Sequence, residues 1–161
     1  MGLPALNLDD EQAFARILED FMGRSQALRA LIIERAGYVL SRAGRNPEID
    51  TDRFASLASN AFNAIDRMAE ELGEPDFKIL HQRGGKHQTL IIRVEEDCLL
   101  VTVFPSGAGM EEIEFSAITV GENIARQVAK ARARAPEKTV DLADQNPESM
   151  DQIFFRKKPE A

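Results

Sequence analysis

Apolar residues recur along this chain at two spacings, one helical and one strand-like, and their order predicts helix, two strands, long helix, three strands, helix. In the first helix, opening at Asp9 or Asp10 whose carboxylates can accept free backbone amides, Phe14, Ile17, Leu18, Phe21 and Met22 share one face. Gly23 is a natural stop. Ala27–Glu34 then reads as a strand that reverses at Ala36-Gly37 into a shorter strand over Tyr38–Arg42, with a loop across residues 44–47.

The central helix is marked at both ends. Asp50 is a good N-cap, and Ile49 and Phe54 occupy the two positions of a hydrophobic staple. Gly73 can take the left-handed conformation and Pro75 blocks continuation, which leaves Thr51–Leu72, about 33 Å of helix. Phe54, Leu57, Ala58, Ala61, Phe62, Ile65, Met68, Ala69 and Leu72 form its apolar face. Arg53, Asn60, Asn63, Arg67, Glu70 and Glu71 populate the other.

Phe77–Arg83 and Lys86–Val94 read as a strand pair turning at Gly84-Gly85, and Cys98–Phe104 follows. The runs Leu90-Ile91-Ile92 and Leu99-Leu100-Val101 are apolar at consecutive positions, where a sheet covered on one side only would alternate, so helices should cover both faces. Beyond the Pro105–Gly109 loop, Ile113, Ala117, Val120, Ile124 and Val128 keep helical spacing up to about Arg134, although the β-branched stretch Ile113–Val120 also admits a strand. After Ala135-Pro136 the chain turns polar and acidic. Within that tail Asn146 can cap and Pro147 suits a first helical position, which places Met150, Ile153 and Phe154 on one side of a short helix, with Phe155 and Arg156-Lys157-Lys158 following.

The order and several local motifs resemble the roadblock/dynein light chain 7 domain family. They are the Ile32-Ile33-Glu34-Arg35-Ala36-Gly37-Tyr38-Val39-Leu40 hairpin, the Leu57-Ala58-Ser59-Asn60-Ala61 core of the long helix, and Glu71-Leu72-Gly73-Glu74 at its end. Ile49-Asp50-Thr51 and His81-Gln82-Arg83-Gly84 make the chain most similar to bacterial members that partner a Ras-like GTPase. The resemblance spans residues 9–134, leaving 1–8 as a leading tail and 135–161 as an acidic tail with its short helix.

That resemblance implies an α/β fold of the α+β type: a five-stranded antiparallel sheet with the long helix on one face and two helices on the other. It also implies a homodimer with a continuous sheet, whose interface takes Ala58, Ala61, Phe62 and Ile65 from the helix and Phe77, Ile79 and His81 from the edge strand. An edge strand carrying Phe77, Ile79 and Leu80 is an aggregation hazard if left bare, so self-pairing makes physical sense. Such dimers bind a Ras-like small GTPase, preferentially GTP-bound, and speed hydrolysis without an active site or arginine finger of their own. The matching surface here would be Asn60, Asn63 and Arg67, joined by Met150, Ile153, Phe154 and Phe155. The process implied is bacterial polarity or gliding motility. Two alternatives are an adaptor dimer that tethers motor or polarity components and a small-molecule sensor, the latter needing a cavity of at least ~300 Å³.

Composition narrows the function classes. With 161 residues, 43% apolar and 29% charged, the chain is long enough for one core. A net charge of −7 disfavours nucleic acid. The apolar runs are too short for membrane insertion, and the single Cys98 together with an N-terminus unlike a signal peptide points to the cytoplasm, the resemblance adding recruitment to a cell pole.

No residue set suggests a metal or cofactor. His81 and His87 flank a glycine turn, but pairing of His81 with Gln88 would send the two rings to opposite faces. Glu111, Glu112 and Glu114 suit a helix N-terminus. Cys98 has no basic neighbour in sequence to activate it, Arg53, Arg67 and Arg83 read as ordinary surface arginines, and Gly107-Ala108-Gly109 lacks the Gly-Lys-Ser/Thr ending of a phosphate loop.

Overall fold

A computed structural model describes residues 2–44 and 49–134 of the chain. Its elements are α1 (Leu8–Arg24), β1 (Arg29–Glu34), β2 (Val39–Gly44), α2 (Thr51–Glu71), β3 (Ile79–Arg83), β4 (His87–Glu95), β5 (Cys98–Pro105) and α3 (Met110–Ala133). The strands form one antiparallel sheet in the order β2-β1-β5-β4-β3. Both faces are covered, which is why the central strands are apolar at consecutive positions.

On one face, Ala30, Ile32, Leu90, Ile92, Cys98, Leu100 and Phe104 meet Phe14, Leu18 and Phe21 of α1 and Ile113, Ala117, Ile124 and Val128 of α3. Phe21 and Phe104 meet edge to face, 6.2 Å between centroids, and Leu3 and Leu6 pack on the same cluster. On the other face, Leu31, Ile33, Ile91, Leu99 and Val101 meet Ala55, Ala58 and Phe62 of α2.

Two expectations need correction, and one reading left open between helix and strand is decided for the helix. The cap of α1 is Asn7, not Asp9 or Asp10: Asn7 Oδ1 accepts from the Asp10 amide while Asp10 Oδ2 accepts from the Asn7 amide, a reciprocal capping box, and the helix passes Gly23 to end at Arg24. The β3–β4 turn is Gly85-Lys86, not Gly84-Gly85, because the Gly84 N–H bonds the His87 carbonyl. His81 consequently pairs with Leu90, not Gln88, but this change of register by two residues preserves the pleat, so the two histidines still fall on opposite faces. The stretch from Ile113 to Val120 is helical, because Ile113, Ala117 and Val120 all reach the core when the backbone coils.

The β1–β2 turn explains Gly37. Its φ is +101°, a conformation strained for any residue with a side chain, and a Cβ there would also crowd α2 at 3.3 Å from the Ser56 Cα.

Asp10 links the start of α1 to the end of α3, accepting from Gln127 Nε2 at 2.8 Å and from Arg134. Burial alone would push this carboxyl up, but hydrogen bonds from Arg134, the Asn7 amide and Gln127, with the Arg134 charge, outweigh it and hold the carboxyl below its ordinary value. Its stabilising contribution is therefore complete above the unfolded value of about 4 and lost as pH falls through the lower folded one. Asp10→Asn is expected to lower the urea midpoint at neutral pH, and the gap from the parent should close as the solution is acidified below about pH 4. A gap that stays constant into acid would contradict this assignment.

Candidate functional site

At about 100° per residue, the apolar positions of α2 are too many for one contact. Ala55, Ala58, Ser59, Phe62, Asp66 and Ala69 turn toward the sheet and are buried. Leu57, Met68 and Leu72 remain 57%, 60% and 79% exposed, with Ala61 and Ala64 also exposed between them. Ala58 and Phe62 are thereby corrected as interface residues: Phe62 is fully enclosed, its ring stacked on Phe77 at 5.2 Å, and it belongs to the protomer's own core. Ala61 and Ile65 do lie on the outward stripe, Ile65 half-buried. Ile65, Met68, Ala69 and Leu72 border a groove of about 450 Å³ closed on its far side by Glu74, Asp76 and Phe77. Next to that groove β3 forms one margin of the sheet, with Ile79 and His81 half-buried.

Asn60 and Arg67 are exposed one step around the helix from the apolar stripe. Asn63, expected beside them, is turned inward instead. Its Oδ1 accepts from Arg35 Nε at 2.7 Å, and its Nδ2 donates to the Arg35 carbonyl at 3.2 Å and to Ser59 Oγ at 3.4 Å. Ser59 Oγ also donates to the Arg35 carbonyl. Arg35 and Arg93 grip the two carboxylate oxygens of Asp66 from opposite sides, and Arg93 lies over the Phe62 ring, 5.6 Å from its centroid. This polar clasp fixes the β1–β2 turn, and exposed Tyr38 within it, beside the outward face of α2. Sequence reasoning missed it, since Asp66 carried no motif and its partners lie 31 and 27 residues away.

Gln88 ties the β3 margin to the start of α3. Its buried side-chain amide donates toward the carbonyls of Pro105, Ser106 and Ala108 at 3.0–3.2 Å, and its Oε1 lies 3.0 Å from His81 Nε2.

Other chemistry is sparse. Among the described residues no three His, Cys, Asp or Glu side chains gather as metal ligands, and no helix is long and apolar enough to cross a membrane. Burial, with the nearby carboxylates of Glu95 and Glu34, pushes the Cys98 thiol up to about 12, which makes it inert as a nucleophile. An apolar pocket of about 110 Å³ beneath the N-terminus of α2, lined by Leu28, Ile49, Phe54 and Val103, is well below the ~300 Å³ of a ligand site. Met150, Ile153, Phe154 and Phe155 lie outside the described residues.

The structure is thus a five-stranded sheet roofed on both faces, with one long helix on one of them that keeps an apolar stripe exposed. Residues 13–104 match the Roadblock/LC7 domain, and the chain belongs to that family, a group of regulatory and adaptor domains. Among solved structures it is similar to the gliding protein MglB of Thermus thermophilus, with 24% identity, a TM-score of 0.72, and coverage of 80% of this chain and 96% of that one. An MglB in a tetrameric arrangement matches at 26% identity with the same TM-score and coverage. Myxococcus xanthus MglB matches at 16% identity with a TM-score of 0.76, covering 83% of this chain and 99% of that one. Comparison with curated proteins gave no match.

Proposed function

We propose that this chain is a homodimeric regulator that binds a Ras-like small GTPase in its GTP-bound state and stimulates hydrolysis, in the manner of an MglB-type activator serving bacterial polarity or motility. The observation that carries the reading is the exposed stripe Leu57-Ala61-Ala64-Met68-Leu72 on α2, continuous with the groove beside Phe77 and next to the β3 margin. A monomer rarely presents so regular an apolar helix face to water. Two such stripes laid side by side would bury each other, while Ile79 and His81 of paired β3 strands would extend the sheet.

The pairing would bring two copies of Asn60 and Arg67 onto one platform, which is the proposed GTPase-docking surface. Met150, Ile153, Phe154 and Phe155 would add a second contact from the C-terminal segment. Asn63 would act indirectly, by positioning Arg35 and the β1–β2 turn. The activator would supply no catalytic group and would act by holding the GTPase's own residues in place.

Phosphate release by a cognate GTPase is expected to rise when this protein is added. Asn60→Glu or Arg67→Glu should weaken the GTP-bound complex about tenfold or more while the dimer persists in sedimentation. Absence of any rise in phosphate release would reject the activator reading. Binding indifferent to GTP or GDP would leave an adaptor in its place.

A further inference from the structure

The outward side of α3 is divided by charge. Its N-terminal half carries exposed Phe115 and Ile118, 76% and 41% accessible, bordered by the exposed carboxylates of Glu111, Glu112 and Glu122. Its C-terminal half carries exposed Arg126 and Lys130. The chain that follows has the opposite order. First comes an acidic stretch with Glu137, Asp141, Asp144, Glu148 and Asp151, then the basic aromatic end Phe154-Phe155-Arg156-Lys157-Lys158.

From this reversed order we infer that the C-terminal segment of the chain folds back antiparallel along its own α3, the acidic stretch over Arg126 and Lys130 and Phe154-Phe155 seated on Phe115 and Ile118 with Arg156–Lys158 among the glutamates. The lengths agree: the walk back from Arg134 to Phe115 is ~28 Å of helix, and the roughly 19 residues between Arg134 and Phe154 span up to ~60 Å when extended. Tethering holds the segment at millimolar effective concentration, so a small aromatic contact with a few charge pairs suffices to retain it. A parallel return or a shift by half the helix would set like charges together, so the pattern selects one direction and one register.

The α3 site concerns the chain alone and stands whether or not a GTPase is the partner. If the GTPase reading holds as well, the aromatic residues that dock on the partner must first leave α3, and the activator is restrained until a partner competes for that segment.

Disulfide trapping in the full chain tests the arrangement, since Cys98 is buried and stays silent. Thr119→Cys with Gln152→Cys leaves both aromatic anchors intact, and Ser56→Cys with Gln152→Cys, on the opposite layer, is the control. The intrachain link to position 119 is expected to form about tenfold faster than the control. Glu111→Lys with Glu112→Lys should abolish that advantage, and adding Lys157→Glu with Lys158→Glu should restore it. In the unaltered chain, added salt should shift the Phe115 and Ile118 side-chain NMR signals and leave Phe62 unmoved. Equal trapping at both positions, a link formed between chains, indifference to the charge reversal, or a salt response absent from Phe115 would each overturn the inference.

Discussion

Asp66→Ala is expected to cost the fold about 3 kcal/mol in urea denaturation, the low end of what is lost when one partner of a buried ion pair is removed. The carboxylate is only 7% exposed, and both oxygens are engaged by arginines from different elements, Arg35 beyond β1 and Arg93 in β4. Removing it leaves two like charges facing each other across the α2–sheet seam. The low end applies because Arg35 and Arg93 keep 27% and 20% of their side chains in solvent and can partly rehydrate. Arg35→Leu combined with Asp66→Leu should recover part of the loss, since an apolar replacement of both partners removes the orphaned charge. A loss under ~0.5 kcal/mol for the single change would mean that the clasp is a surface pairing without structural weight.

The second large effect concerns assembly. Met68→Glu with Leu57→Glu should convert the proposed dimer into a folded monomer, weakening association at least a hundredfold in sedimentation, since carboxylates from both copies would be forced together without water. The protomer should keep its denaturation midpoint, because these side chains are already more than half exposed. Phe62→Ala should do the reverse: unfold the protomer by about 3–5 kcal/mol, as for other fully buried aromatics, without singling out the interface. A single sedimenting species unchanged by the double substitution would remove the proposed dimer surface, and with it the GTPase platform.

The contrast between these substitutions shows where the sequence was legible. The limits of α2 were readable because Asp50, Ile49, Gly73 and Pro75 act through neighbours in the chain, and the observed helix runs Thr51–Glu71 with the Asp50 side chain accepting from the Arg53 amide. Two-sided burial of the sheet was readable from runs of consecutive apolar residues. The division of the α2 apolar surface into a buried strip and an exposed one was not, because Ala stands in both, Phe62 in one is matched by Leu57, Met68 and Leu72 in the other, and periodicity alone does not say which faces the sheet. The polar residues within the buried strip, Ser59 and Asp66, could have marked its edge, but their partners come from Arg35 and Arg93 and become neighbours only in three dimensions. Asn7 was a missed local signal, since Asn7 and Asp10 stand at capping-box spacing. The start of α3 had no such signal: its cap is Gly109, which has no side chain to announce a terminus.

Because helices roof both broad surfaces of the sheet, backbone hydrogen bonding to another molecule is confined to its two lateral margins, β2 and β3. Growth by stacking is sterically closed, and any strand-mediated assembly must spread in a single plane. Gln88 gives that planar restriction a mechanical extension. Its side chain meets His81 on one side and the carbonyls of Pro105, Ser106 and Ala108 on the other, so the β3 margin is tied directly to the loop that leads into α3.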